Sequence, residues 1–277
     1  METQIHSTAL VDPRASLGIG VQVGAYAIIE ADVCIGDRTK VDAMAQVKSF
    51  TTLGADNHVH AYACIGGPPQ DLKYQNQETS LEVGDRNCIR EYVTLNRGTE
   101  DGGAVTRVGS DCMLMAYAHV AHDCQLGDEV ILANAATLAG HVQVGEKSVI
   151  GGLSAVHQFV RIGEYVFIGG KTGVPQDVPP YMLTVGERAQ LYGLNKIGLR
   201  RRGFSKEAIS ALKKAYQMIW RSGLSRRDSL EQVSATLGHY PEVKNLVEFI
   251  RNSKRGIASS VKEETLTGQN KNAKDLT

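Results

Sequence analysis

The sequence predicts a mainly β protein, a parallel β-helix of six-residue repeats followed by a small α-helical domain. An aliphatic residue recurs at every sixth position from Ile5 to Ile65, and again from Val108 to Val174. A glycine often follows the aliphatic residue, as Gly18 follows Leu17. The hexads stop near residues 179–180, and the hydrophobic period then becomes helical. These three observations fix the predicted fold class and the order of its parts.

The six-residue period points to a coil with three short flat faces. It matches neither the 3.6-residue period of a helix nor the two-residue alternation of a strand. One hexad forms one face, so eighteen residues form one coil, and coils stack about 4.8 Å apart. The aliphatic residue and a small residue four positions later, such as Ile5 and Ala9, point into a narrow prism. Hexapeptide repeats are typical of β-helices, and we expect glycine to permit the tight corners.

Two segments interrupt the hexads within the predicted β-helix, residues 1–186. Residues 66–80 and 97–107 are polar and rich in proline or glycine, so we expect both to be loops that leave the coil. Loops on a rigid scaffold often carry function. The breaks in the repeat are therefore the first places to look for a site.

Residues 187–257 form the predicted helical domain. The segment after Ser205 places apolar residues on one helical face, with Ser205 as the N-cap and Gly223 as the stop. Two further helices are expected at about 226–237 and 241–254. Residues 258–277 have no aromatic residue and no apolar period, which predicts a disordered tail.

Composition argues against several classes of protein. The 30 basic and 30 acidic residues cancel, so overall charge does not indicate a protein that binds nucleic acid or a membrane surface. No apolar run approaches the roughly 20 residues that span a bilayer. The first residues do not resemble a secretory signal, and the five cysteines have no C-x-x-C spacing. We therefore expect a cytoplasmic protein with reduced thiols.

Four histidines cluster around the interruptions of the repeat. In the coil register, His122, His141 and His157 rise along one side of three successive coils, with His119 close by. They could be solvated polar residues, zinc ligands or a catalytic base. A histidine has a suitable pKa for a general base near neutral pH. The adjacent Asp123 could then hold the ring in one tautomer.

Two of the cysteines, Cys112 and Cys124, fall at the small inward position of their hexads. We expect them to fill the core of the prism. Cys124 is therefore a poor candidate for a nucleophile.

Several segments together resemble one branch of a known enzyme family. They are "AHVAHDC", "GGPPQDLKY", "ILANAATLAGHV", "GGLSAVHQF", "QDVPPY" and "LRRRGF". The family is that of the hexapeptide-repeat acyltransferases, and the branch acylates UDP-N-acetylglucosamine from acyl carrier protein at the start of lipid A synthesis. The resemblance covers residues 1 to about 255. It implies a left-handed β-helix, a homotrimer, and catalysis without a metal or cofactor.

The resemblance also assigns roles to residues. His122 would be the general base that takes the proton of the sugar 3-hydroxyl, which then attacks the thioester of a 3-hydroxyacyl chain. The backbone N–H of Gly140 would stabilise the oxyanion, and Asp71 would position sugar hydroxyls. The other expected substrate-binding residues are Gln70, Lys73, His119, His141, Gly152, His157, Gln158, Gly170, Asn195, Arg201 and Arg202. Among these, Asn195 and Arg202 would lie near the uridine and phosphates.

Charge distribution supports an anionic partner. Between residues 196 and 227 there are ten lysines and arginines and a single acid, Glu207. In a chain without net charge, such segregation favours binding to a nucleotide diphosphate or an acidic carrier protein, and the resemblance places Arg201 near the carrier. The family carries an acid at the position of Ile197, so this chain departs from the pattern there. In the family that the chain resembles, the residue at the position of Gly170 limits acyl length, and a glycine there implies a longer acyl chain.

Three alternatives remain at the level of sequence. First, the enzyme could use the same base to acylate a 3-amino sugar. Against this, the related N-acyltransferase of the pathway has an additional domain before its coils, whereas the hexads here begin at Ile5. A zinc-dependent hydratase on the same scaffold would use the histidines as ligands. In a non-catalytic binding module, the coils would only present a surface.

Overall fold

The computed structural model describes residues 2–261. From Gln4 to Val174 the chain winds through short strands, most of them two residues long, that form three parallel sheets. Each sheet is one face of a prism, and the chain visits the first, second and third faces in turn. Strand partners are eighteen residues apart where no loop intervenes, as in the pair Val23 and Val41. The coil predicted from the hexads is therefore present.

The strands of the three faces are as follows. The first face consists of Gln4–Ile5, Gln22–Val23, Lys40–Val41, His58–Val59, Cys88–Ile89, Met113–Leu114, Ile131–Leu132, Val149–Ile150, Phe167–Ile168, Met182–Val185 and Gln190–Leu194. The second face consists of Leu10–Val11, Ile28–Ile29, Gln46–Val47, Cys64–Gly67, Thr94–Asn96, His119–Val120, Thr137–Leu138, Ala155–Val156 and Gly173–Val174. The third face consists of Ser16–Leu17, Cys34–Ile35, Thr51–Leu53, Ser80–Val83, Val105–Val108, Gln125–Leu126, Gln143–Val144 and Arg161–Ile162.

The inside of the prism is a column of aliphatic side chains. Leu114, Leu132 and Ile150 lie in register on successive strands of the first face and are fully buried. Burying each such side chain contributes roughly 1.5–3 kcal/mol. The small residue of the hexad, such as Ala118 or Ala136, is buried beside them, which keeps the prism narrow.

The hexad glycines have a different role from the one predicted. The corner residues with positive φ are mostly not glycine, as in Asp123 (φ 62°) and His141 (φ 61°). The glycine after the aliphatic residue instead permits close stacking. An ideal Cβ at Gly36 would lie 2.5 Å from the carbonyl carbon of Gly54, and one at Gly145 would lie 2.4 Å from the nitrogen of Glu164. Any side chain there would push successive coils apart.

The coil ends in a hairpin and four helices. Met182–Val185 continues the first face and pairs antiparallel with Gln190–Leu194. The boundary predicted at residues 186–187 therefore falls inside this hairpin, which the end of the hexads did not reveal. The helices are α1 (Lys196–Arg201), α2 (Lys206–Trp220), α3 (Arg226–Leu237) and α4 (Pro241–Arg251). Ser205 caps α2 by accepting a hydrogen bond from the N–H of Ala208.

The start of the predicted tail is ordered. The N–H of Ala258 donates to the carbonyl of Asp177, and that of Val261 donates to the carbonyl of Leu191. Both side chains are buried, so residues 258–261 extend the packed unit where the sequence predicted disorder. Residues 262–277 of the predicted tail lie outside the described residues. Among residues 2–261, no helix has the length and apolar character that crossing a bilayer requires.

Candidate active site

The two predicted loops and the histidines share one edge of the prism, the corner between the second and third faces. Residues 68–79 and 97–104 connect a strand of the second face to one of the third. His122, His141 and His157 follow strands of the second face in the next three coils, at this corner. We call it the histidine corner, and define it by His122, Asp123, Gly140, His141 and His157. The structure thus brings together both features that the sequence singled out.

His122 and Asp123 form a buried pair at this corner. Nδ1 of His122 lies 2.7 Å from Oδ2 of Asp123, and the two residues are only 8% and 4% exposed. An ionised carboxylate can only accept hydrogen bonds, so Nδ1 carries the proton and Nε2 of the neutral ring is left unprotonated. This is the tautomer that a general base needs.

The carboxylate of Asp123 is held from its other side by the second loop. It accepts hydrogen bonds from the N–H of Thr99 at 2.8 Å and from the hydroxyl of Thr99 at 2.7 Å. Burial raises the pKa of Asp123, but the hydrogen bonds from His122 and Thr99 outweigh it and leave that pKa below its usual value. An ideal Cβ at Gly102 would lie 2.0 Å from this carboxyl group. The loop therefore covers the pair, which the hexad register alone placed on a solvated surface.

Gly140 lies against the edge of the His122 imidazole that does not contact Asp123. An ideal Cβ at Gly140 would be 2.7 Å from Nε2 of His122 and 2.6 Å from Cε1. Its carbonyl accepts a hydrogen bond from Phe159, while its own N–H donates to no protein acceptor within residues 2–261. A free backbone donor therefore lies in the same coil corner as the unprotonated nitrogen.

His141 completes the cluster. Its Nε2 lies 3.7 Å from Oδ2 of Asp123, and its ring stacks on Phe159 with centroids 4.4 Å apart. Burial lowers the pKa of His141, and the charges of Asp123 and Asp71 act in the opposite direction. Asp71, in the first loop, thus acts electrostatically on this corner. In the same loop Gln70 and Lys73 are exposed.

His122, Asp123 and His141 also have ligand atoms close enough to hold a metal ion. The arrangement of Asp123 argues against that use. Its two oxygens already accept hydrogen bonds from Thr99 and His122. A metal bound at Oδ2 would have to displace either the Thr99 hydroxyl or the His122 N–H, at a cost of about 1–3 kcal/mol for the buried donor left unsatisfied.

The other two histidines have separate partners. Nδ1 of His119 lies 2.7 Å from the hydroxyl of Thr94 on the second face, and burial lowers the pKa of His119. Nδ1 of His157 accepts a hydrogen bond from the guanidinium of Arg255 at 2.7 Å. Gln158, next to His157, is exposed.

A cavity of about 760 Å³ opens beside the histidine corner. Asp123, His141 and Phe159 line one side of it, and Lys254 and Arg255 from the segment after α4 line another. Sequence reasoning missed Thr99, Phe159 and Arg255. Thr99 lies in a loop where no repeat predicts contacts, and Arg255 reaches the corner across 98 residues of sequence.

The residues expected to bind the nucleotide, Asn195 and Arg202, and the one expected near the carrier protein, Arg201, lie elsewhere on the chain. A cavity of about 630 Å³ faces the first sheet and is lined by Asn195, Arg201, Arg202 and Lys147, among others. The side chain of Asn195 caps α1, accepting from the N–H of Gly198 at 3.1 Å, and donates to the carbonyl of Tyr165 at 3.0 Å. Ile197, where the resemblance led us to expect an acid, is 59% exposed at this cavity.

Two of the cations at this second cavity lie beside a carboxylate. Arg202 forms an ion pair with Glu129, while Nζ of Lys147 lies 3.7 Å from the same carboxylate and 3.2 Å from the Tyr165 hydroxyl. Lys147 and Tyr165 were not predicted from the sequence, because each lies at an ordinary corner position of its hexad. On one chain, therefore, Asn195, Arg201 and Arg202 are not brought to the histidine corner.

Gly152 and Gly170 lie one above the other at a third position, the corner between the first and second faces. An ideal Cβ at Gly170 would be 3.2 Å from the carbonyl oxygen of Gly152, and one at Gly152 would be 3.1 Å from that of Asn134. Two successive coils thus carry no side chain at this point. The backbone alone forms the surface here.

The cysteines take no part in the site. Cys124 is fully buried in the prism and burial raises the pKa of its thiol to about 12. Cys112 is also buried, with its pKa raised to about 11. Thiols that stay protonated at neutral pH are poor nucleophiles. This agrees with the burial that the inward hexad position predicted.

Comparison with known proteins gives one family along most of the chain. Residues 177–258 match the family described as UDP N-acetylglucosamine O-acyltransferase, domain 2, and residues 106–140 match the bacterial transferase hexapeptide family. An acyl-[acyl-carrier-protein]–UDP-N-acetylglucosamine O-acyltransferase from Syntrophobacter fumaroxidans is 50% identical, over 92% of this chain and 99% of its own. The namesake from Thermodesulfovibrio yellowstonii is 47% identical, over 92% and 98%.

A solved structure agrees. The UDP-N-acetylglucosamine O-acyltransferase of Moraxella catarrhalis has 40% identity and a TM-score of 0.89, and the match covers 92% of this chain and 99% of that one. The predicted fold class, a left-handed parallel β-helix followed by helices, is thereby confirmed. The identity, spread over nearly the full length of relatives that share one name, shows that this chain is an acyltransferase and belongs to the UDP-N-acetylglucosamine O-acyltransferase family.

Proposed function

We propose that this enzyme transfers an (R)-3-hydroxyacyl chain from acyl carrier protein to the 3-hydroxyl of UDP-N-acetylglucosamine, the first step of lipid A synthesis. The names of the relatives support the two substrates. The observation that carries the mechanism is the bond from Nδ1 of His122 to Asp123, which leaves Nε2 free to accept a proton. Because acyl carrier protein is a cytoplasmic partner, we assign the enzyme to the cytoplasm.

The proposed reaction is a direct transfer. Nε2 of His122 takes the proton of the sugar 3-hydroxyl while the sugar oxygen forms a bond to the thioester carbonyl carbon. The carbonyl oxygen becomes negative and is stabilised by the N–H of Gly140. Collapse of this intermediate breaks the carbon–sulfur bond, and the imidazolium returns its proton to the leaving thiolate. Asp123 stabilises the imidazolium throughout, so no covalent enzyme intermediate, metal or cofactor is needed.

We assign the remaining site residues to binding of the two substrates. Lys147 and Arg202 are the cations that suit a diphosphate, and arginine offers it a fixed fork of donors. Arg201 is assigned to the carrier protein. We assign Asn195 to the uridine end. Asp71 with Gln70 and Lys73 is assigned to the sugar. His119, His141, His157 and Gln158 are assigned to the cleft near the acyl chain.

The distribution of these groups supports a homotrimer. The base lies at the corner between the second and third faces, whereas the expected diphosphate contacts face the first sheet. One nucleotide sugar can touch both sets if a neighbouring chain supplies the second. We expect analytical ultracentrifugation to give the mass of three chains of 29.9 kDa each. A single-chain mass in fully active enzyme would contradict the shared site.

Acyl-chain length is predicted to depend on Gly170. The surface formed by Gly152 and Gly170 has no side chains, which leaves room for a long chain. Gly170→Met should shift the preferred donor toward shorter acyl groups, measured as kcat/KM across a series of 3-hydroxyacyl carrier proteins. An ideal Cβ there lies 3.2 Å from the carbonyl oxygen of Gly152, so the backbone must shift by a few tenths of an ångström, and circular dichroism should confirm that the variant is folded. An unchanged preference in a folded variant would remove Gly170 from the acyl groove.

The acceptor is the point on which the proposal is most easily tested. A 3-amino UDP-sugar would use the same base, so wild-type enzyme should be offered UDP-N-acetylglucosamine and its 3-amino analogue in competition. We expect the ester to be the main product, detected by mass spectrometry and by its lability to mild base. An amide as the main product would make this chain an N-acylating enzyme on the same fold.

A further inference from the structure

A second group of histidines lies outside the histidine corner, on the first face near the N-terminal end of the prism. Asp42 follows the strand Lys40–Val41, while His58 is in the next strand of this face and His60 follows it. The register pairs Lys40 with His58 and Val41 with Val59. Asp42 and His60 therefore occupy equivalent positions in successive coils, and His58 projects from the same face beside them.

The three side chains converge on one carboxylate oxygen. Nε2 of His58 is 2.9 Å from Oδ2 of Asp42, and Nδ1 of His60 is 3.5 Å from the same atom. The two imidazole rings stack with centroids 3.9 Å apart. One ligand atom from each residue lies within 4.8 Å of the others. Two ring nitrogens and one carboxylate oxygen are thus close enough together to share one metal ion.

We propose that Asp42, His58 and His60 bind one zinc ion per chain. Two imidazoles and a carboxylate are a common zinc ligand set, and zinc bonds of 2.0–2.2 Å separate tetrahedral ligand atoms by about 3.4 Å. The observed separations of 2.9 and 3.5 Å require small movements. The side chains of His58 and Asp42 are 40% and 41% exposed, so they have room to make them. Two nitrogen donors disfavour magnesium and calcium, which prefer oxygen.

One neighbouring side chain orients the imidazole ring of His60. The thiol sulfur of Cys88, from the next coil, lies 3.6 Å from Nε2 of His60. With the proton on Nε2 directed at this sulfur, a weak acceptor, Nδ1 is the free ligand atom.

One nearby charge pair limits the ligand set to three side chains. Oε1 of Glu91 is 3.8 Å from Nδ1 of His60, but the guanidinium of Arg90 holds both oxygens of Glu91 at 3.0 and 3.1 Å. Glu91 therefore remains paired with Arg90, and water fills the fourth position on zinc. Because the ligands come from two successive coils, binding should stabilise the folded state.

The test is zinc titration of metal-stripped, full-length enzyme by calorimetry, with cobalt absorption as a second readout. We expect one zinc per chain, a rise in melting temperature with zinc, and binding at least about tenfold weaker in His58→Gln and in Asp42→Asn. Acyl transfer should be unaffected in both variants. His141→Gln is the matched control, because it removes an imidazole from the other cluster.

Three results would overturn the proposal. The first is no stoichiometric zinc binding by the wild type. The second is equal affinity in wild type and His58→Gln. The third is loss of binding in His141→Gln with retention in His58→Gln, which would place the metal at the histidine corner instead.

Discussion

Replacing His122 by alanine is expected to lower kcat for acyl transfer by about a hundred to ten thousand fold, the usual contribution of a general base. The reason is that Nε2 of His122 is the unprotonated nitrogen beside the free N–H of Gly140. KM for the nucleotide sugar should change much less, because the groups assigned to the diphosphate lie on the first face. Steady-state kinetics with a 3-hydroxyacyl carrier protein measures both constants.

The matched control is His239→Ala, which removes an exposed histidine between α3 and α4. It should keep wild-type kcat. Circular dichroism and thermal melting of both variants separate loss of chemistry from loss of fold. A folded His122→Ala enzyme with kcat near that of the wild type would remove the base from the mechanism.

Asp123→Asn is expected to reduce kcat by about a hundred fold or more, with little change of shape. Thr99 donates two hydrogen bonds to residue 123, so the amide oxygen of asparagine would turn toward Thr99. Its NH₂ group would then donate to Nδ1 of His122. The ring proton would move to Nε2, where it blocks proton abstraction.

A second carboxylate in the coil provides the control for this change. Asp85 accepts a hydrogen bond from the N–H of Ala55 at 2.8 Å and lies at a corner between the third and first faces. Asp85→Asn therefore repeats the chemical substitution away from the histidines and should leave kcat unchanged. Equal activities of Asp123→Asn and Asp85→Asn would show that the tautomer of His122 is not what matters.

The coil could be predicted from the sequence because its physical cause is strictly local. Each hexad places its own aliphatic residue inward, so a period of six is sufficient to give faces, coils and core. The hairpin at Met182–Val185 and Gln190–Leu194 and the order at residues 258–261 depend on contacts distant in sequence. No repeat encodes them. The role predicted for the hexad glycines was also wrong. They permit close contact between neighbouring coils, and this contact is visible only in the stacked structure.

The candidate site could likewise be predicted only in part from the sequence. The column of His122 and His141 follows from the eighteen-residue coil, and Asp123 is adjacent in sequence. Burial of the pair does not follow, because it depends on Thr99 and Gly102 folding back from an irregular loop. The placement of Asn195, Arg201 and Arg202 on another face also required the structure. Their helix begins only after the chain has left the coil.

The most direct test of the account is acyl transfer by wild-type enzyme from a 3-hydroxyacyl carrier protein to UDP-N-acetylglucosamine, in the presence of a strong chelator. We expect a single product with the acyl group as an ester on O3, formed at the same rate with and without the chelator. Transfer that stops on chelation and returns with zinc would contradict a metal-free base at His122. The absence of any acylated sugar would contradict the proposed substrates, and the fold would stand without its assigned reaction.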